Sequence, residues 1–404
     1  MTLHWFLSKT VRQATAMRSH VEKILNHQRD ILSPPAIEAV QGAMAGITQA
    51  VTEKAEPSAL EKQMENLEKV ANKWLKPYPN AAWRENIEVL LVALSVAMGI
   101  RTFFLQPFKI PTGSMQPTLF GVESVNLAER PDVKIPTGWP RIREWFEGIS
   151  YLHVVAKTEG ALQSVEAPVR ILIFNLKQTL RIGDQSYTLW FPPDYGSRTL
   201  ESRAGIHLGQ TFRAGEDVLK LQVSAGDHLF VDRVTYNFRP PERGEIIVFE
   251  TKGIPEERRM PFGIPDDQFY IKRLVALSDD KVQIGDDRHL IINGQRLDSL
   301  TPHFEKVYSF DPKEPPRDSH YSGHVNERVA SRFHPGWQGQ LAPLFPNQST
   351  VYTVASRHYM VMGDNTMNSL DSRCWGEFPS AAVIGKSFFV YWPLTDRFGW
   401  GYHR

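Results

Sequence analysis

The sequence predicts a mainly β domain tethered by one apolar helix and preceded by an α-helical region. Three observations predict it: two seams of apolar residues at coiled-coil spacing before residue 80, an apolar stretch from Trp83 to Leu105, and a run of short β-rich segments beyond it. At 404 residues the chain has room for two or three domains of about 100–200 residues each. Its 46 Lys and Arg against 45 Asp and Glu leave a net charge of +1, which removes the electrostatic case for a nucleic-acid partner. Apolar content of 42% is ordinary for a folded protein. The single cysteine, Cys374, excludes an intramolecular disulfide and a Cys-cluster metal site.

The helical region comes first, over residues 1–82. Ile37, Val40, Met44, Ile47 and Val51 repeat at 3, 4, 3, 4, and Leu60, Met64, Leu67, Ala71 and Trp74 at 4, 3, 4, 3. Pro34-Pro35 and Pro57 punctuate these seams, and Ser58 with Glu61 reads as a capping box. The expectation is a small cytosolic helical hairpin or self-association region without catalytic residues. Ahead of it, Leu3 and Trp5-Phe6-Leu7 are too short an apolar run for a signal peptide.

Residues 83–105 form the expected membrane span. Val89 to Ile100 is unbroken small and apolar sequence, and Thr102 to Leu105 extends it past Arg101. As a helix this stretch is about 34 Å long, enough for a hydrocarbon core of roughly 30 Å. Trp83 and Arg101 suit opposite interfaces. Lys69, Lys73, Lys76 and Arg84 ahead of it favour a cytoplasmic N-terminal side and an exported remainder.

Residues 106–404 carry the β signal. Val169-Ile171-Leu172-Ile173, Ile246 to Phe249, Leu290 to Ile292 and Ser387 to Trp392 lie between Gly, Pro and Asp clusters, and Asn293-Gly294 reads as a hairpin turn. Many short strands without long interleaved helices indicate a mainly β domain.

The chemistry is expected at a serine and a lysine. Ser114 sits in Phe108-Lys109-Ile110-Pro111-Thr112-Gly113-Ser114-Met115-Gln116-Pro117-Thr118-Leu119, just past the apolar stretch. A serine hydroxyl is a weak nucleophile until a neighbouring base takes its proton. Lys272 lies in the apolar run Tyr270-Ile271-Lys272-Arg273-Leu274-Val275. Burial among such groups lowers the pKa of a lysine, which allows it to act as that base. Two further blocks stand apart: Gly226-Asp227-His228 through Tyr236 to Pro241–Phe249, and Met362-Gly363-Asp364-Asn365-Thr366-Met367-Asn368-Ser369-Leu370-Asp371-Ser372-Arg373.

These blocks, in this order, resemble the motifs of bacterial type I signal peptidases, as does the apolar span ending in Arg101-Thr102-Phe103-Phe104-Leu105. The resemblance covers about a quarter of the chain. It implies a signal-peptidase-like β fold and a Ser/Lys dyad with Ser114 as nucleophile and Lys272 as general base. It gives the Thr112 hydroxyl and the Ser114 N–H to the oxyanion hole. Ser369 would orient the lysine amine, and Asp371 and Arg373 would brace the loop. Phe108, Ile110, Met115, Leu119 and Ile271 would line shallow pockets for the small residues of Ala-X-Ala sites, although core packing explains the same residues equally well.

On this resemblance the protein is a single-pass enzyme of the bacterial cytoplasmic (inner) membrane with its peptidase domain on the extracytoplasmic side. Its partners would be signal-peptide-bearing preproteins, the lipid bilayer and the secretion machinery. No metal or cofactor is expected, and no His-Glu-x-x-His occurs. Two alternatives stay open: a self-cleaving Ser/Lys protease like the SOS-type repressors, and a catalytically inactive membrane-anchored β scaffold that binds a protein partner.

The chain departs from the family pattern in three places. Thr366 and Met367 replace an Arg-Asp pair, leaving Asp371 in need of another cation, either Arg373 or a residue from elsewhere. Ala276-Leu277-Ser278-Asp279-Asp280 replaces a turn with two glycines. From Leu119 to Gly226 lie 106 residues where the family has far fewer, so about 122–222 reads as an inserted module with an aromatic patch at Trp139, Trp145, Phe146 and Tyr151. A second β-rich non-catalytic region is expected at about 283–357.

Overall fold

The computed structural model describes residues 8–76, 81–128, 130, 132–171, 174–337 and 339–400. The apolar residues at 3 and 5–7, and Leu172 and Ile173 of the expected strand run, lie outside them. The chain divides into two compact units, Met1–Leu94 and Ser95–Arg404.

The first unit packs three helices, α1 (Lys9–Gln28), α2 (Pro34–Thr52) and α3 (Pro57–Trp74). Val40 and Ile47 of one expected seam and Leu60 and Leu67 of the other are buried together. Val11, Ala14, Val21 and Leu25 of α1 complete the cluster, so the hairpin expected from the two seams is a three-helix bundle. Ser58 does not cap α3: the helix starts one residue earlier at Pro57, whose fixed φ suits the first helical position. Helix α4 (Ala81–Phe103) follows. Its stretch Trp83–Phe103 has a mean hydropathy of 1.5 and none of the strongest apolar window is buried. The helix ends two residues before the expected boundary, because Leu105 is already paired with Asp232 in a sheet.

In the second unit β1 (Leu105–Lys109) precedes the inserted segment. That segment holds β2 (Glu123–Asn126), α5 (Trp139–Phe146), β3 (Ile149–Val155), β4 (Gly160–Val165), β5 (Val169–Ile171) and β6 (Phe174–Ile182). It ends with β7 (Gln185–Trp190), α6 (Leu200–Ala204), β8 (Thr211–Phe212) and β9 (Asp217–Ser224). Then come β10 (His228–Asp232), β11 (Ile246–Glu250), α7 (Glu256–Arg259), β12 (Phe269–Ala276), β13 (Lys281–Ile284), β14 (Leu290–Ile292) and β15 (Gln295–Arg296). The chain closes with α8 (Glu327–Phe333), β16 (Tyr352–Thr353), β17 (His358–Met362), α9 (Ser372–Trp375), β18 (Phe378–Pro379) and β19 (Val383–Trp392).

The main sheet runs β1-β10-β19-β11-β12-β17-β18, with antiparallel neighbours. It curls, since Phe108 of β1 and Phe269 of β12 meet edge to face at 5.4 Å although three strands separate them in the sheet. β12 pairs with β11 along Phe269–Arg273 but with β17 only from Arg273 onward, which leaves one edge of Phe269–Lys272 free. The inserted segment builds its own β2-β9-β3 and β5-β6-β4-β8 sheets around a separate core that includes Leu162, Leu180, Ile182 and Leu221. Strands β13 to β16 form a third structure, with a core containing Val282, Ile284, Leu290, Phe304 and Phe345.

The two turns singled out in the sequence form as follows. Asn293 and Gly294 both have positive φ and close the β14–β15 hairpin. The turn without glycines puts Asp279 at φ 67°, a left-handed conformation that aspartate tolerates better than most residues. The Asp280 carboxylate then accepts from Leu277 N–H, Arg243 and Asn293.

Candidate active site

The nucleophile candidate sits on a turn held from both ends. Ile110 N–H donates to Asp227 C=O, and Phe120 N–H donates to the Asp227 carboxylate at 2.8 Å. Asp227 therefore clamps the start and the end of the segment that carries Ser114. Met115 and Leu119 anchor the turn from below, buried with Ile110, Leu229, Val231 and Val248.

From the opposite side the loop after β17 straps the same turn. Asn365 N–H donates to Ser114 C=O and its side-chain amide to Gly113 C=O, both at 3.1 Å. Gly363 makes this approach possible. A Cβ there would lie 2.4 Å from Ser114 O and 2.2 Å from Ser369 Oγ, so no larger residue fits.

Strand β12 delivers Lys272. In register it stands opposite Ile247 of β11, which is fully buried. Its Nζ lies 2.6 Å from Ser114 Oγ, and the two side chains come from positions 158 residues apart. Ser114 is 7% and Lys272 5% exposed, so bulk water solvates neither well. Burial pulls the Lys272 amine down from 10.5 to about 8, although Asp371 and Asp364 oppose the shift. The cause is desolvation, which penalises the charged form. At neutral pH an appreciable fraction of the amine is therefore free of its proton and able to accept one.

Two buried ion pairs frame the dyad. Arg273 bonds both oxygens of Asp364 at 2.7 and 2.6 Å, and its remaining donor reaches Gly244 C=O and His303 C=O. Asp364 also accepts from Thr118 Oγ1 at 2.5 Å, which ties the pair back to the nucleophile turn. Arg373 bonds both oxygens of Asp371 at 2.9 Å, with both side chains fully buried. Burial alone would push the Asp371 carboxyl up, but the Arg373 guanidinium and the Gly363 N–H outweigh it and hold the group below its usual range.

The substituted positions explain this arrangement. Arg373 is the cation that Asp371 needed, and Thr366 supports it by accepting from Arg373 through both its hydroxyl and its carbonyl at 2.8 Å. Met367 is 2% exposed and packs with Val325, Val329, Ala330 and Leu341, an apolar seat where a charge would be stranded.

A cleft of about 920 Å³ opens over Ser114 and Lys272. Thr112, Ser369, Phe108 and Ile271 line it. Ile110, Met115 and Leu119 do not: they point into the core beneath and carry the turn rather than a pocket wall. Ser369 lies at the cleft, yet its hydroxyl makes no bond to the lysine, whose amine bonds Ser114 alone among the described residues. No described histidine lines the cleft. His320 and His324 stand four residues apart but on irregular chain, with His324 against Tyr308 OH and His320 at the surface beside Glu314.

Sequence reasoning did not single out Asp227 or Asn365. Both were visible inside quoted blocks, but their partners are 107 and 252 positions away, and nothing local reports such pairings.

The fold and the site set a serine hydroxyl beside a buried lysine amine of lowered pKa on a curled β sheet, an arrangement suited to a serine peptidase. Residues 211–392 match the family described as signal peptidase, peptidase S26. Lys272, Asp364 and Arg373 fall inside it, while Ser114 lies upstream across the inserted segment. The chain is similar to Signal peptidase I of Leptolyngbya laminosa (27% identical over 43% of this chain and 64% of that protein) and of Pseudomonas fluorescens (26%, over 46% and 66%). It is also similar to Thylakoidal processing peptidase 1, chloroplastic, of Arabidopsis thaliana (27%, over 44% and 40%). The chain thus spans less than two thirds of the length of each. A solved signal peptidase I from Enterococcus faecalis V583 aligns at 24% identity over 37% of this chain and 97% of that one, with a TM-score of 0.23.

Proposed function

We propose that this chain is a membrane-tethered serine endopeptidase that removes N-terminal signal peptides from exported preproteins at Ala-X-Ala-type sites. The observation that carries the reading is the 2.6 Å approach of a buried lysine amine, with its pKa lowered to about 8, to a serine hydroxyl in an open cleft.

In this mechanism Ser114 Oγ attacks the scissile carbonyl while the Lys272 amine takes its proton. The Thr112 hydroxyl and the Ser114 N–H hold the oxyanion. The Lys272 ammonium then donates the proton to the departing amine, the C–N bond breaks, and an ester on Ser114 remains. Water attacks that ester, again giving its proton to Lys272, and the acid product leaves with Ser114 restored. Asp371 and Arg373 brace the loop, and Ser369 aims the lysine once the cleft is filled. The substrate lies extended in the cleft along the outer edge of β1 and the free edge of Phe269–Lys272, adding itself as a strand. Phe108 and Ile271 meet its side chains, over a floor supported by Ile110, Met115 and Leu119.

Helix α4 is the single tether in the bacterial cytoplasmic membrane, residues 1–82 lie in the cytoplasm, and the β unit works on the outer side beside the secretion machinery. Detergent-solubilised full-length chain incubated with a peptide in which Ala-X-Ala is followed by further residues should cut after the second alanine, as read by mass spectrometry. An intact peptide beside folded wild-type protein, with no acylation of Ser114 by a penem, would support the inactive-scaffold alternative instead.

A further inference from the structure

The inserted segment reaches the cleft. Its loop Pro193–Arg198 leaves the core of the module and lies against the chain just before Ser114. Asp194 takes Lys109 of β1 at 2.5 Å and accepts the Gly196 N–H at 2.7 Å. Gly196 has φ 68°, and a Cβ there would stand 2.6 Å from Pro111 C=O, so the loop touches the backbone three residues before the nucleophile. Ser197 then lines the cleft together with Lys109, Pro111 and Thr112. The loop is not free to swing away. Arg203 holds Tyr195 C=O at 2.6 Å and Val122 C=O at 3.0 Å, and Tyr195 OH donates to Gln178 inside the module.

We propose that this loop is a wall of the substrate cleft, and that the Lys109–Asp194 pair makes the inserted module a charge selector for one arm of the substrate. The inference rests on the peptidase reading and adds to it the part played by residues 122–222. A substrate strand advances about 3.3 Å per residue. The position beside Lys109 is therefore a single side-chain position, on the arm that follows β1. While Asp194 covers the ammonium of Lys109, neither charge is offered to the substrate, and the position favours uncharged side chains. Removing one partner exposes the other. Asp194→Asn keeps an oxygen for the Gly196 N–H while uncovering a positive charge; Lys109→Met uncovers a negative one.

The test is a peptide series carrying Asp, Ala or Lys at each of five positions on either side of the cut. Cleavage is read with the full-length chain, and binding is read by fluorescence anisotropy on its Ser114→Ala form. Asp194→Asn should raise the preference for Asp over Lys at one position on one arm by about three- to fivefold, the scale of a part-exposed ion pair, and Lys109→Met should reverse it. Trp145→Ser, at an exposed position that does not line the cleft, should leave the preference where it is. Cleavage with one unchanged preference profile in all these chains would overturn the wall and leave the peptidase standing. The same result follows if the shift is spread evenly over every position. Charge-selective binding without any cleavage would strike the peptidase reading and leave the wall. Loss of both would end both.

Discussion

The matched domain and the inserted module solve the burial problem in opposite ways. Around the dyad, Lys272, Arg273, Asp364, Asn365, Thr366, Ser369, Asp371 and Arg373 are all buried polar or charged groups. Within residues 122–222, Gln178 is the one buried polar side chain of that kind among those described, and the core is aliphatic and aromatic. Buried charge costs several kcal/mol per ion unless it is paired and hydrogen-bonded. Around the dyad that cost is met with two bidentate ion pairs, while Lys272 is left without an acidic hydrogen-bond partner. That exception is the group whose proposed role requires it to lose a proton. The module, with no such demand, is built from apolar packing and reaches the cleft lining at Ser197.

The contrast breaks first at the dyad. Ser114→Ala and Lys272→Ala should each reduce leader-peptide cleavage by on the order of 10⁴ or more, with circular dichroism unchanged. A Lys272→Ala chain that still processes the peptide at a near-normal rate would remove the base from the mechanism.

Next in size are the framing pairs. Arg373→Met strands a fully buried carboxylate and should lower stability by about 3–5 kcal/mol in denaturant titration, against under ~0.5 kcal/mol for Trp145→Ser on the exposed face of the module. Equal losses for the two would dissolve the distinction between the regions. Thr112→Val, which removes the proposed side-chain oxyanion donor, should cost on the order of 10² in kcat with little change in KM.

A smaller effect sharpens the point about Lys272. Its folded pKa of about 8 lies below the ordinary 10.5, so the folded state holds fewer protons than the unfolded one between those values. Stability linked to this group therefore rises with pH from about 8 to 10.5, and below that window the lysine weakens the fold by up to roughly 3 kcal/mol. Lys272→Met should melt higher than wild type at pH 7, and the gap should close as the pH approaches 10. Over the same range the wild-type cleavage rate should climb through pH 8 and level off as the amine loses its proton. A rate flat from pH 6 to 9 would contradict a lysine base.

Much of this was legible in the chain. The seams at Val40–Ile47 and Leu60–Leu67, the apolar helix and the strands at Ile246 and Leu290 follow from periodicity, because each is a local consequence of which face must leave water. Ser114 and Lys272 were legible as types in contexts. The third helix of the bundle was less so, since α1 is mostly polar and contributes only Val11, Ala14, Val21 and Leu25 to the core. Pocket lining was the least legible feature. Ile110, Met115 and Leu119 are as apolar as Phe108 and Ile271, and only the direction of each side chain from a curled sheet separates floor from wall.

The amino-acid order alone pointed to the main element types, the apolar helix, the place of the insertion and the candidate serine and lysine, since these depend on neighbours within a few residues. Folding in three dimensions decided the rest: that Asn365 and Asp227 would clamp the turn, and that a module loop would border the cleft. Those are contacts between residues tens to hundreds of positions apart, and their energies exist only after the sheet has curled and water has left the space between them.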